Sequence, residues 1–158
     1  MARPLRFVLV LCLLLPFVLL WGCNSRPKAS LVVVRVLRDL RSPYGSEFDR
    51  RILDFQGSNP KLPSGQRLVI QTETGDYKDM LQKQTSSSEG VDLIVLDSPD
   101  DAQSSSAIQL ALPQAVNVCA GLKACPANVP AIVPSQVGGL HREGAKQFVD
   151  FLQKTPAS

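Results

Sequence analysis

The sequence predicts a three-layer α/β lobe, a mostly parallel sheet of four or five strands with the first three ordered 2-1-3 and helices on its faces. Three observations predict it. Apolar, Val-rich runs recur at Leu31 to Leu37, Arg67 to Thr72 and Val91 to Leu96, and such continuous runs suit strands buried on both faces. Amphipathic stripes of helical period lie between and after these runs. Turn signals rich in Pro, Gly, Ser and Asp separate the segments, so strands and helices alternate.

Each element has its own warrant. The first strand, Leu31 to Leu37, contains Arg35, and an arginine in an apolar strand needs a partner. An edge strand or an exposed strand end is therefore expected there. Ser42-Pro43 marks a turn, and Ser46 is the expected N-cap of a helix, with Asp49 three residues on. Phe48, Ile52 and Phe55 form its stripe, and Gly57 stops it. Asn59 to Gln66 is a loop. After the second strand, Thr74-Gly75-Asp76 turns the chain, and Asp76 caps a helix that begins at Tyr77 and carries Met80 and Leu81. Thr85 to Gly90 is a Ser-rich linker, and Asp97 to Asp101 closes the third strand. Ile108 to Leu112 reads equally as a strand or a helical turn. Ala115 to Val118 and Ala131 to Val133 are short strand candidates on either side of an irregular stretch. Gly138-Gly139 breaks the chain before the clearest helix, Glu143 to Gln153, where Ala145, Phe148, Val149 and Leu152 recur at i, i+3, i+4, i+7.

The N-terminus sets the expected compartment. Arg3 and Arg6 precede an apolar run of 15 residues, Phe7 to Trp21, that contains Pro16. A bilayer-spanning helix takes about 20 residues, and a basic start followed by a short apolar core has the form of a secretory signal. Leu20-Trp21-Gly22-Cys23 resembles the lipobox of bacterial lipoproteins, although Trp21 is bulky for its position. The resemblance implies cleavage before Cys23, acylation of that residue, and attachment to the cell envelope on the extracytoplasmic side. An uncleaved anchor and a soluble secreted protein are the alternative readings. Residues 1–22 are then the signal, 23–30 a polar tether and 31–155 the lobe. A mature chain of 136 residues suffices for one domain with a real core. Removing Arg3 and Arg6 lowers the formal net charge from +3 to +1. Basic residues are scattered without interleaved aromatics, which argues against a nucleic-acid partner. In an oxidising compartment Cys119 and Cys125 are expected to form a disulfide. Metal binding is the rival, but the spacing is long for a zinc knuckle and His141 is the only histidine.

Two stretches carry a family resemblance. Val91-Asp92-Leu93-Ile94-Val95-Leu96 resembles a strand of bacterial extracellular solute-binding proteins. Leu140 to Leu152 (LHREGAKQFVDFL) is similar to their terminal helix, preceded by Pro134 to Gly139 where that family has a loop. The resemblance implies a lobe of the periplasmic-binding-protein type, a small solute as ligand, and a transporter or other envelope protein as partner. Members of that family close two lobes on the ligand. Only 46 residues separate Leu96 from Glu143, too few for a second lobe, so the expectation is a single lobe.

In open α/β sheets ligands sit beyond the carboxyl ends of the strands. The loops expected there offer Ser42, Tyr44, Thr74, Gly75, Asp76, Tyr77, Asp97 and Ser98 as ligand-binding candidates. Hydroxyls, carboxylates and two helix N-termini suit a small polar or anionic ligand, while the same residue types are also ordinary caps and turn formers. No nucleophile-elbow, P-loop or dinucleotide motif is present, and His141 reads as the flank of a helix, so no catalysis, cofactor or metal is expected. The sequence thus points to a membrane-tethered, non-enzymatic solute-binding-like lobe. The alternative is a structural or protein-interaction lipoprotein that retains the lobe and binds no small ligand.

Overall fold

The computed structural model describes residues 30–73, 77–83, 90–122, 125 and 128–154. The signal, Cys23 and most of the tether lie outside the described residues, as do Thr74, Gly75, Asp76 and most of the Ser-rich linker. The order is β1 (Leu31–Leu37), α1 (Gly45–Gly57), β2 (Arg67–Glu73), α2 (Tyr77–Lys83), β3 (Leu93–Val95), α3 (Ser106–Ala111), β4 (Val116–Asn117), β5 (Pro130–Ile132) and α4 (Gly139–Lys154). One five-stranded sheet has the order β2-β1-β3-β5-β4. β1 pairs in parallel with β2 and β3, and β5 runs antiparallel to both β3 and β4. Four of the five strands therefore point the same way, and the first three have the expected order.

Alternation along each strand divides the core. Val32, Val34, Val36, Leu68, Ile70, Leu93, Val95 and Ala131 face one side, where α1 contributes Phe48, Ile52 and Phe55 and α4 contributes Ala145, Phe148, Val149 and Leu152. Phe148 anchors this layer, with its ring 5.9 Å from Phe48 at 82° and 5.1 Å from Phe55. Each such buried ring contributes about 1.5–3 kcal/mol from burial, and edge-on packing adds to it. On the opposite side Leu37, Ile94, Leu96 and Ile132 pack with Leu81 of α2 and Ile108 of α3. Ile108 thus belongs to a helix. Gly144 lets α4 approach the sheet, since a Cβ there would stand 2.7 Å from Leu68 Cδ1 and 2.9 Å from Val34 Cγ2.

Several expectations are corrected. α1 begins at Gly45, two residues earlier than expected, with Tyr44 rather than Ser46 at the cap position, and no side chain caps it. The Tyr44 ring is fully buried and its hydroxyl is directed away from the helix end, so Ser46 falls within the first turn. Asp49 bonds to Arg38 instead of closing a capping box. Gly57 is the last helical residue, and Asn59, at φ 52°, takes the left-handed position beyond it. β1 is not an edge strand, because β2 and β3 flank it. Arg35 is accommodated because its side chain remains about one-third exposed and donates to the Gly90 carbonyl at 2.6 Å, with Glu73 4.0 Å away. α4 starts one turn before Glu143, at Gly139. Among the described residues no helix is long and apolar enough to cross a membrane.

Candidate functional site

The order 2-1-3 makes the chain leave β1 toward one side and arrive at β3 on the other, so the loops after β1 and β3 diverge. In open α/β sheets the carboxyl ends of two such strands are where ligands sit. The segment after β1 supplies Arg38, Ser42 and Tyr44, and the segment after β3 supplies Asp97 and Ser98. Three of the sequence candidates meet there. The Tyr44 hydroxyl donates to Asp97 Oδ1 at 2.7 Å, and the Ser42 hydroxyl bonds to the same oxygen. Tyr44 is fully buried, Ser42 is buried and Asp97 is half-buried. Burial first, and then the bond to Asp97, pushes the Tyr44 phenol well above its ordinary range. It therefore keeps its proton and acts as the donor to the carboxylate.

Local chemistry explains the placement. Gly45 N–H donates to the Ser42 carbonyl, and the Arg41 N–H donates to Asp39 Oδ1, so the chain turns tightly after β1. Tyr44 then enters the core beneath the end of β3. Ser98 does not join the cluster. Its hydroxyl accepts from the Asp100 N–H while Asp101 accepts from the Ser98 N–H, a capping box for the 3₁₀ turn Pro99–Ser104. Thr74, Gly75 and Asp76 lie outside the described residues. Tyr77 opens α2, and its side chain lies outside them as well.

Arg38 is a member of this region that sequence reasoning missed as a site residue. It is 3% exposed, reaches Asp49 Oδ1 at 2.5 Å and the Asp39 carbonyl at 3.1 Å, and lies 5.7 Å from the centre of the Phe48 ring. Its Nε finds no acceptor among the described residues. A charged residue directly after an apolar run is the only signal of this role, and the same signal marks any strand end.

The single histidine is placed elsewhere. His141, in the first turn of α4, lies 3.1 Å through Nδ1 from Asp92 Oδ2, and the same carboxylate oxygen accepts from the Arg35 backbone N–H. The sequence missed Asp92 as the partner. Asp92 precedes β3 and Asp97 follows it. Five residues of extended chain separate them by about 16 Å, so no Ser–His–Asp set assembles around Ser42 and Asp97. At the far edge of the sheet Cys119 and Cys125 stand at disulfide geometry, with Cα atoms 5.4 Å apart. Among the described residues no group of three potential ligands could hold a metal ion. No protein-family model, curated protein or solved structure matches the chain.

Proposed function

We propose that the chain is a lipid-tethered, non-enzymatic lobe of the solute-binding type in a bacterial envelope, taking a small polar ligand at the carboxyl ends of β1, β2 and β3. The observation that carries this reading is the meeting of Ser42, Tyr44 and Asp97 at the carboxyl ends of β1 and β3. Two hydroxyls hold one oxygen of a half-exposed carboxylate, which leaves its outer side to a ligand that donates hydrogen bonds. Placement of His141 on Asp92, at the other end of β3 from Ser42 and Asp97, supports a binding role over catalysis.

A thermal-shift screen of amines, sugars, amino acids and inorganic anions tests it. A ligand at a hundredfold excess over its dissociation constant stabilises the fold by about 2.7 kcal/mol, and Asp97→Asn is expected to abolish the shift. Cys23→Ser tests the tether, with loss of the protein from the membrane fraction as the expected result. A second reading, a protein-interaction lobe without a small ligand, is favoured by one observation: Ser42 and Tyr44 turn inward onto Asp97. Silence across the screen from a folded protein supports that reading.

A further inference from the structure

We infer that the surface around α3 is a self-docking site, where Leu110 of one copy of this chain enters a hollow beside α3 of a second copy and its own hollow receives that copy's Leu110 in return. Charge is scarce in this part of the molecule. From Ala102 to Leu140 the only charged residue is Lys123, which lies outside the described residues, although 20% of the chain is charged. This stretch supplies α3, β4, β5 and the segments that join them. Depletion of charged side chains is the compositional mark of the buried centre of a protein interface. The covering layer is also thin. Helices of 7 and 6 residues, α2 and α3, cover this face of the sheet, against 13 and 16 for α1 and α4 on the other.

Two features of α3 complement each other. Leu110 is 82% exposed. The other exposed leucines among the described residues stand among charges. Leu40 lies between Asp39 and Arg41, Leu53 precedes Asp54 one turn after Arg50, and Leu31 pairs in register with Arg67. Leu110 instead lies between Gln109 and Ala111. Beside it is a hollow of about 30 Å³ whose lining includes Ile94, Ile108, Ala111, Ile132 and Pro134 and carries no charge. It has room for about two waters, and so for the end of an aliphatic side chain. Ala111 lines it, and Leu110 stands about 100° around the helix from Ala111. Knob and hole thus sit side by side on one short helix, so a two-fold axis beside α3 lets each copy fill the other's hole. That reciprocity is what an isologous contact requires. Electrostatics favours the same partner. A charged patch that meets its own copy sets like charges together, which is costly, and the lining of this one sets none. Arg142, bordering the Pro134–Ser135 wall, has its guanidinium bonded to the Val137, Pro134 and Ser135 carbonyls. The patch is separate from the Asp97 cluster and from the tether, so it is compatible with either reading of that cluster.

The test uses the full chain in a mild detergent. Sedimentation velocity over a concentration series reads self-association, and energy transfer between donor-labelled and acceptor-labelled copies reads mixed pairs. The native protein is expected to show a reversible monomer–dimer equilibrium. Leu110→Ser removes the knob and Ala111→Leu fills the hole. Each should weaken association by about tenfold or more, with circular dichroism and Tm showing that the fold is kept. Leu53→Ser, which removes an exposed leucine from α1, should leave association unchanged. Mixing the Leu110→Ser and Ala111→Leu proteins brings one intact knob to one intact hole, so mixed pairs should form more tightly than either variant pairs with itself. A native protein that stays monomeric at every concentration overturns the inference. So does association that neither α3 variant weakens, that Leu53→Ser weakens equally, or that mixing does not rescue. None of these results bears on ligand binding at Asp97, which the thermal-shift screen reads.

Discussion

Removing the Tyr44 hydroxyl is the sharpest test of the polar cluster at the ends of β1 and β3. Tyr44→Phe leaves a fully buried ring in place and deletes one bond of 2.7 Å to a carboxylate, together with a marginal 3.5 Å approach to the Leu96 carbonyl. A hydrogen bond to a charged group contributes about 1.5–3 kcal/mol. Asp97 is half-exposed and keeps Ser42, so the lower part of that range applies, and a loss of about 1.5 kcal/mol is expected. For a domain of this size that lowers Tm by roughly 5 °C. Asp97→Ala strands the Tyr44 hydroxyl in the core and is expected to cost about 2–3 kcal/mol. The double variant should cost less than the two singles together, with a coupling of about 1 kcal/mol or more. Thermal and urea unfolding of the four proteins measure the cycle. Additivity within about 0.3 kcal/mol would refute the claim that the hydroxyl and the carboxylate act as one unit, and would leave Tyr44 as a packing residue only.

Further predictions follow from other features of the fold. The Tyr44 phenol is raised above its ordinary value of 10.0 by burial and then by Asp97, so its contribution is intact below that pH and is lost as pH climbs beyond it. Urea midpoints at alkaline pH should fall more steeply in the native protein than in Tyr44→Phe, by up to about 1.4 kcal/mol per pH unit, and equal slopes contradict the burial argument. Gly144→Ala should destabilise by about 1 kcal/mol in chemical denaturation, because displacing Leu68 and the stiff Val34 outweighs the gain in helix propensity. Non-reduced peptide mapping should recover the Cys119–Cys125 peptide pair. Reduction of so short a loop should lower stability by about 2 kcal/mol, and an unchanged melt on complete reduction contradicts a stabilising cross-link.

Much of the fold was legible because its signals are local. The stripe of Phe48, Ile52 and Phe55 and that of Ala145, Phe148, Val149 and Leu152 place α1 and α4 by period alone, and both faces proved to be the buried ones. The Val-rich runs place β1, β2 and β3, and the alternation of strands and helices predicts 2-1-3. Less was legible where competition between partners decides. Ser46 and Asp49 have the form of a cap, but Asp49 is drawn to Arg38, and Tyr44 occupies the position before the helix because its ring is buried and its hydroxyl has Asp97 to bond. Arg35 implies an edge strand if its side chain must reach solvent sideways. The structure lets it leave over the end of a short neighbour, since β3 begins only opposite Val36 and Gly90 lies just below.

Chain order and side-chain period by themselves determined an α/β lobe whose first three strands have the order 2-1-3. Tertiary structure alone decided that β5 returns antiparallel beside β3, that Ser42 and Tyr44 converge on Asp97, and that His141 is drawn to Asp92 at the far end of the strand. The physical reason is range. Periodicity and turn chemistry act over a few residues, whereas the partner of a buried polar group is chosen by what the packed core brings within about 3 Å, and here those partners are about 50 residues apart in the chain.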